Sequence, residues 1–512
     1  MADGLLNKAS IILTPTAYKA GTLYNVAPVV EPYEDFDFAR ASVASRVNSS
    51  GLVEMVGRSF GSELVIDGNF PNGDNWNEGS SWTISDNKAT ATSNGYLIQS
   101  NVIPSSSTDT YKLTYTISNS NDANLKLAGG SNPFGTKNIP DEDGTYTLYL
   151  VANGTTARNL QFLSNGFRGD ISNVSLKQLI DTNNIPRISY DSNGANGHIL
   201  LEPTSTNFLP YSNDFSQSNW VKQTNITATY NTTETLSPDG TYNATKLVGD
   251  GTDGIFDSSL SITGDVTRSV YLKSVSGTVT LKLKDSNINI GIETLTVTTE
   301  WQRFHLSGDN GSSLQGIFIF DIPASGVYIF GAQVENLPYP TSYIPTLTGS
   351  TETRATETAT GAGSADLINS TEGVLYGEIA VLEGQTNINR YISINNGTDD
   401  NFVSVHFRNN TNNQIRAIVR VSNSNQCDFT YNPSGSTSFA KFAFKWKAND
   451  FALWVNGVEI GSDTSGSTFS ANTLNNISFD SGQGGDDFYG KVKALAVFNE
   501  ALSDAELNNL TG

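Results

Sequence analysis

Lys441-Phe-Ala-Phe-Lys-Trp-Lys447, then Phe451-Ala-Leu-Trp-Val455 running into Asn456-Gly457, decides the fold class. The first stretch places Phe442, Phe444 and Trp446 at every second position, the period of a strand with one buried face. Asn-Gly is the favoured centre of a two-residue type I′ turn, so the two stretches read as a β-hairpin. Working outward, residues 368–512 are expected to form one antiparallel sandwich. Ser503-Asp-Ala-Glu506 is a capping box, with Leu502 and Leu507 at the staple positions, so a short helix closes the chain.

Residues 348–367 are Thr, Gly, Ala, Ser and Glu with few large apolar side chains, the composition of a linker. Residues 206–347 and 62–180 each read as a jelly roll of short strands separated by turn clusters such as Asp141-Glu-Asp-Gly144. Phe208-Leu-Pro-Tyr-Ser-Asn-Asp-Phe215 followed by Trp220 echoes Leu64-Val-Ile-Asp-Gly-Asn-Phe70 followed by Trp82, as two diverged copies of one unit would. By this alignment Trp82 and Trp220 are equivalent core fillers. Within residues 1–60, Asn48-Ser-Ser-Gly51 marks a turn between two short strands, and residues 1–25 read as a docking arm or a disordered tail.

The chain has 512 residues, which at ~150 per domain suggests three or four domains. Hydrophobic content is 37% and charged content only 16%, with 20 Tyr and 25 Phe, a balance that suits strands and polar turns rather than long amphipathic helices. A net charge of −21 argues against a nucleic-acid partner and is compatible with neutral or cationic polymers and divalent cations. The single cysteine, Cys427, excludes an intramolecular disulfide. Neither a secretory signal in Met1 to Lys19 nor an apolar run of ~18 residues is evident, so no membrane insertion is expected.

Catalytic motifs are missing. His198, His305 and His406 fall in different modules, and no HExxH, Cys/His cluster or GxSxG occurs. Paired carboxylates are the enzymatic alternative. Asp399-Asp400 and Asp486-Asp487 sit in polar, glycine-rich turns, as solvated loop residues or loop calcium ligands. Aromatic platforms for pyranose rings are the sharper hypothesis. Trp76 in the polar Asn75-Trp-Asn-Glu-Gly79 and Tyr96 after Asn94-Gly95 are candidates. Trp454 has the parity opposite to Phe451, Leu453 and Val455. It therefore points to an open face able to stack a sugar, unless both faces of that sheet are covered.

Three stretches resemble known families. Asp37-Phe-Ala-Arg-Ala-Ser-Val-Ala-Ser-Arg-Val-Asn-Ser-Ser-Gly-Leu-Val-Glu54 resembles the N-terminal motif of tail-fibre and head-fibre proteins of tailed phages. In that family, segments like Ile185-Pro-Arg-Ile-Ser-Tyr190 and Leu200-Leu-Glu-Pro-Thr-Ser-Thr-Asn-Phe208 follow closely. Here residues 62–180 intervene, so they are read as a module inserted into an attachment unit made of residues 1–60 and 181–205. The jelly rolls resemble galactose-binding-like carbohydrate-binding modules through Asp67-Gly-Asn-Phe70 and Ile171-Ser-Asn-Val-Ser-Leu176. That family often holds a structural calcium; Ser172 stands where its acid would fall, which leaves Asp67 and Asp170 as the calcium candidates and no cofactor required. The C-terminal module resembles laminin-G-like, concanavalin-A-type lectin folds, from Phe442 through Trp454-Val-Asn-Gly-Val458 to Phe488-Tyr-Gly-Lys-Val-Lys-Ala-Leu-Ala-Val-Phe498.

These resemblances imply an all-β, multi-domain virion protein, a tail or head fibre in the extracellular particle. It would attach to other virion proteins through residues 1–60 and 181–205. The modules at 206–347 and 368–512 would follow in series and bind host-surface polysaccharide. A purely architectural decoration protein and a polysaccharide depolymerase are the alternatives. Neither heptads nor β-helical stem repeats enforce a homo-oligomer, so oligomeric state stays open.

Overall fold

The structure is a computed structural model that describes residues 4–28, 34–122, 124–285, 292–308, 314–382, 389–408, 414–433 and 438–512. The first three residues of the expected arm lie outside them. Among the described residues the chain is almost wholly antiparallel sheet, with one α-helix, Asp504–Thr511, begun by the capping box of Ser503 and Glu506.

The C-terminal sandwich is assembled from the whole length of the chain. Its larger sheet has eight strands. Gly490–Phe498, Glu372–Val381, Ala440–Lys447, Phe451–Val455 and Val458–Asp463 pair in sequence across it. Gly490–Phe498 is completed along its other edge by two strands placed end to end. Ala9–Leu13 pairs through Leu13 and Leu495, and His198–Leu201 pairs through Ile199 and Val492. The facing sheet contains Ser424–Tyr431, Gln414–Val421, Phe402–Arg408, Asn389–Asn395 and Asn476–Ser478 in that order. Between them lies an apolar core that includes Trp446, Phe442, Phe444, Ile392 and Val405.

This corrects the N-terminal reading. Residues 9–13 are not an arm: all five are buried, and Ile11 and Leu13 belong to the main core. A five-residue strand has too little apolar surface to fold alone, but here it seals a sheet edge that would otherwise expose unpaired backbone groups. Lys8 then pins its start to Glu500 and Glu506 at 2.8 and 2.9 Å.

The linker is corrected too. Glu352–Arg354 pairs with Ser205–Asn207, and Thr358–Thr360 pairs with Phe36–Ala39. Arg354 and Glu357 are buried. Residues 348–367 are therefore part of the body, and the modules are not in series. Each jelly roll leaves and rejoins the body through an antiparallel pair. For residues 62–180 that pair is Arg58–Glu63 against the end of Arg168–Asp181, clasped by a two-pronged contact of Arg58 with Asp181 at 2.9 and 2.8 Å. For residues 206–347 it is Ser205–Asn207 against Glu352–Arg354. Around them, residues 40–57 and 182–190 meet: Asn184 accepts from the Arg40 amide at 2.9 Å, and the Val47 carbonyl accepts from Tyr190 at 2.9 Å.

The junction is charged and dry. Arg40 reaches Glu357 at 2.6 Å, Arg187 reaches Glu202 at 2.9 Å and also pairs with Glu357, and Arg354 reaches Glu202 at 3.0 Å. None of the five side chains is more than 4% exposed. Burial alone would raise the Glu202 carboxyl, but Arg354 and Arg187 hold it down to about 2. Neighbouring Glu335, with less cationic help, is pushed up to about 7 by burial.

Each jelly roll has its own core. The first includes Phe70, Tyr111, Phe162 and Leu176, the second Phe215, Val270, Leu281 and Ile329. In the first, the carboxylate of Asp170, one of the two calcium candidates, accepts from Lys88 at 2.8 Å, Thr90 at 2.6 Å and Asn119 at 2.7 Å. These bonds, with the charge of the Lys88 ammonium, hold Asp170 below the usual carboxylate range despite its burial. Asp67 serves elsewhere, in a turn with φ of 55°, where its carboxylate takes the Asn75 amide. No group of three or more His, Cys, Asp or Glu suited to a metal occurs among the described residues.

Two outcomes follow. Leu13→Ala is expected to cost about 2–5 kcal/mol in the unfolding transition that exposes Trp446, followed by denaturant titration; an unchanged transition would mean the strand is a detachable arm. Added calcium should leave the melting temperature of residues 58–181 unmoved, while Lys88→Gln lowers it; stabilisation by calcium would support the metal reading.

Candidate functional site

Two of the three predicted platforms are in the interior. Trp76 is only 6% exposed, packed at 4.9 Å on Phe70 and 6.5 Å from Phe162. Its indole N–H donates to the Asp67 carbonyl at 3.2 Å. Trp220 repeats this arrangement on Phe215 at 4.7 Å, donating to the Tyr211 carbonyl at 3.1 Å. In both modules the indole bonds a carbonyl nine residues upstream, from a residue with positive φ. Trp76, not Trp82, is therefore the counterpart of Trp220. The polar neighbours that suggested a loop platform instead face outward and tuck the ring under. Trp82 is a second core ring, 6.3 Å from Phe167.

The parity read for Trp454 holds, since Phe451, Leu453 and Val455 lie in the main core and Trp454 does not. Its face is covered, however. Trp454 is 9% exposed and joins a second apolar cluster with Leu5, Ile12, Leu507 and Leu510, under the closing helix and the N-terminal segment. It offers no stacking surface.

Tyr96 does stay at the surface, 41% exposed. Pairing registers set it beside Leu163, then Lys126, then Asn138 on one face of the first jelly roll. This is an accessible ring with an ammonium and an amide in the same row.

The five-stranded sheet of the C-terminal sandwich carries a second, largely polar face that is buried over its middle strands and reaches solvent toward Gln414–Val421 and Ser424–Tyr431. Ile392, Ile394, Val403, Val405, Ala417 and Val419 point into the core. The opposite parity forms rows across the strands. One row is Tyr391, His406, Arg416 and Thr430. A second is Ser393, Ser404, Ile418 and Asp428, and a third begins Asn395, Phe402, Arg420. Tyr391 and His406 stack at 4.3 Å. Arg416 donates to Asp428 at 2.7 Å. Arg420 lies 4.9 Å over Phe402 and donates to Asn425 at 3.0 Å.

One end of this face is closed by the turn after Asn476–Ser478. Ser393 donates to the Asp480 carbonyl at 2.8 Å, and Asn395 donates to Ser478 at 3.1 Å. Gly482, with φ of 93°, comes so close to Asn395 that a Cβ there would sit 2.8 Å from its amide carbon. Asn395, Ser393 and Ser404 are buried, and so are Phe402, His406 and Ile418 in the same rows. Arg416, Arg420, Asp428, Asn425 and Thr430 remain toward solvent.

Chemically, this is a surface of planar donors and acceptors held in fixed orientation, suited to paired hydroxyls. The Asp428 carboxylate is engaged by Arg416. Asp399 and Asp400 are exposed turn residues, and Asp487 is raised by burial while accepting from Tyr489 at 3.0 Å. Among the histidines, burial lowers His198 to about 4, and His305 is exposed on the second jelly roll. The sequence pointed to tryptophan. The signal for this face was parity in Phe402-Val-Ser-Val-His-Phe407 and Gln414-Ile-Arg-Ala-Ile-Val-Arg420, where polar residues alternate with core positions.

Comparison with known proteins agrees with the sandwich. Residues 379–508 match the concanavalin A-like lectin/glucanases superfamily, of laminin-G type. Solved structures that are similar in part include CBM40 of the Ruminococcus gnavus IT-sialidase, with 19% identity, 30% of this chain and 94% of that chain covered, and a TM-score of 0.25. The leech intramolecular trans-sialidase has 21% identity, with 28% of this chain and 23% of that one covered, and a TM-score of 0.24. Domain 4 of an extracellular arabinanase from Geobacillus stearothermophilus has 12% identity, with 31% and 73% covered, and a TM-score of 0.24. No curated protein matches the chain. The chain is thus an almost wholly β protein with a concanavalin A-like sandwich, of which residues 379–508 carry the family match.

Proposed function

We propose that this protein is a structural component of a tailed-phage virion, a tail or head fibre, that recognises host-surface glycan through the solvent face of its lectin-type sheet. The observation that carries the reading is the outward row set around Arg416, Asp428, Arg420 and Asn425 on a sandwich of lectin type. Guanidinium, carboxylate and amide groups fixed by one another bind adjacent hydroxyls without losing much conformational freedom.

The virion assignment rests on the fibre-type stretches at 37–54, 185–190 and 200–208. They supply Arg40, Arg187 and Glu202 to the buried junction, so they are fold-defining parts of the body. Attachment to other virion proteins then uses the body's surface rather than a free arm. Binding is non-catalytic, needs no cofactor, and gains strength from multiple copies on the particle.

The test is adsorption to host cells, together with glycan-array binding, by the full chain and by the Arg416→Ala/Arg420→Ala variant. Each lost charged hydrogen bond is worth about 1.5–3 kcal/mol, roughly ten- to hundredfold in affinity. The variant should fold normally and lose both signals. Unchanged adsorption would support the architectural alternative, and release of reducing ends from host polysaccharide would support the depolymerase.

A further inference from the structure

A cleft of about 480 Å³ opens on the body, lined by none of the residues of the lectin-type face described above. Three separate segments build it. One is the turn carrying Pro15 and Tyr18, the second is the hairpin of Ala44–Val47 and Val53–Val56, and the third is the segment of Ile188 and Tyr190. The fibre-type stretch at 37–54 therefore supplies one wall.

That wall is rigid. The hairpin turn is closed by Asn48, whose side-chain oxygen accepts from the Ser50 and Leu52 amides at 2.9 and 3.1 Å. It abuts the turn at 191–194 reciprocally: a Cβ on Gly51 would fall 2.2 Å from the Ser192 carbonyl oxygen, and one on Gly194 would fall 2.2 Å from that of Ser49. Both glycines have positive φ, of 76° and 75°. No side chain fits between the two turns, so they cannot breathe apart without losing the contact.

Inside, the polar groups form a connected set. Arg46 Nε donates to Glu54 Oε1 at 2.7 Å, and Arg46 Nη1 donates to the Ile188 carbonyl at 3.3 Å and to the Tyr18 hydroxyl at 3.4 Å. Asn48 donates to the other Glu54 oxygen at 2.9 Å. The guanidinium and carboxylate cancel, so the lining carries no net charge. Tyr18 accepts from Arg46, which leaves its own hydroxyl proton for a ligand, and Glu54 Oε2 keeps acceptor capacity beyond Asn48. Tyr18 and Tyr190 are half-buried and offer ring surface at the cleft.

We infer that this cleft binds a neutral saccharide of roughly one or two rings. Stacking surface from tyrosine, planar bidentate donors and acceptors, zero net charge and a preorganised wall are what polyhydroxylated rings require. A phosphate or carboxylate ligand is disfavoured because Glu54 already neutralises Arg46. An apolar peptide is disfavoured because the lining is mostly polar. The inference is independent of the lectin-face reading, which uses none of these residues.

The experiment is binding of the full chain to an array of neutral di- to hexasaccharides and their uronic-acid counterparts, with Tyr190→Ala, Glu54→Gln and Arg416→Ala/Arg420→Ala variants and a melting curve for each. Tyr190→Ala should weaken neutral-saccharide binding about tenfold, measured at a temperature where its melting curve shows the chain still folded, because Tyr190 also packs on the main core. Glu54→Gln should shift preference toward the acidic sugars, because Arg46 is no longer neutralised. The lectin-face variant should leave this component intact. Neutral saccharide binding that survives Tyr190→Ala and is lost only in the lectin-face variant would overturn the assignment. So would a wild-type chain that binds no neutral saccharide.

Discussion

Three arginines and two glutamates, drawn from three separated stretches, share one dry junction. Arg40 comes from the N-terminal strand region, Arg187 and Glu202 from the segment between the jelly rolls, and Arg354 and Glu357 from the stretch after the second. Burying these charges is costly, and the cost is offset only while every partner is in place. Removing one partner from such a set typically costs about 3–5 kcal/mol, because the remaining charge is left uncompensated. The cluster therefore makes the body all-or-none: residues near 40, 187, 202 and 355 must converge or none is satisfied. Two jelly rolls can then be spliced into the chain without dissolving the body, since each returns within a strand pair of where it left.

Much of this was legible in the sequence. Period-two alternation and the Asn-Gly turn found the C-terminal sandwich, and turn spacing found both jelly rolls. The failures have one physical cause. Ala9–Leu13 and residues 348–367 are short or polar, and by themselves they bury too little to fold. Their order comes from partners distant in sequence, which local composition cannot report. Arg354-Ala-Thr-Glu357 looks like solvated linker because charge normally seeks water; only the arrival of Arg40, Arg187 and Glu202 reverses that. Trp76 failed for a related reason. Its polar neighbours describe the loop's outer side, whereas the ring follows the inner side, as Trp220 does in the other module.

The functional reading changes accordingly. Trp76, Trp82, Trp220 and Trp454 are packed inside, and the exposed polar groups of the lectin-type sheet are Arg, Asn and Asp set by strand parity. The lectin-type face and the tyrosine-lined cleft belong to the same body, so their separation is fixed by a shared core rather than by a flexible tether. A particle carrying many copies would present both in constant geometry, which favours simultaneous engagement of a repeating surface polymer.

One buried charge cluster welds the discontinuous body together. Hydrogen exchange of the Arg187→Met variant against the parent chain tests it most directly. If the cluster welds the body, Phe36–Ala39, His198–Leu201, Ser205–Asn207, Glu352–Arg354 and Thr358–Thr360 lose protection together while the jelly-roll cores keep theirs. Loss confined to the residues around 187, with both bracketing strand pairs still protected, would contradict it.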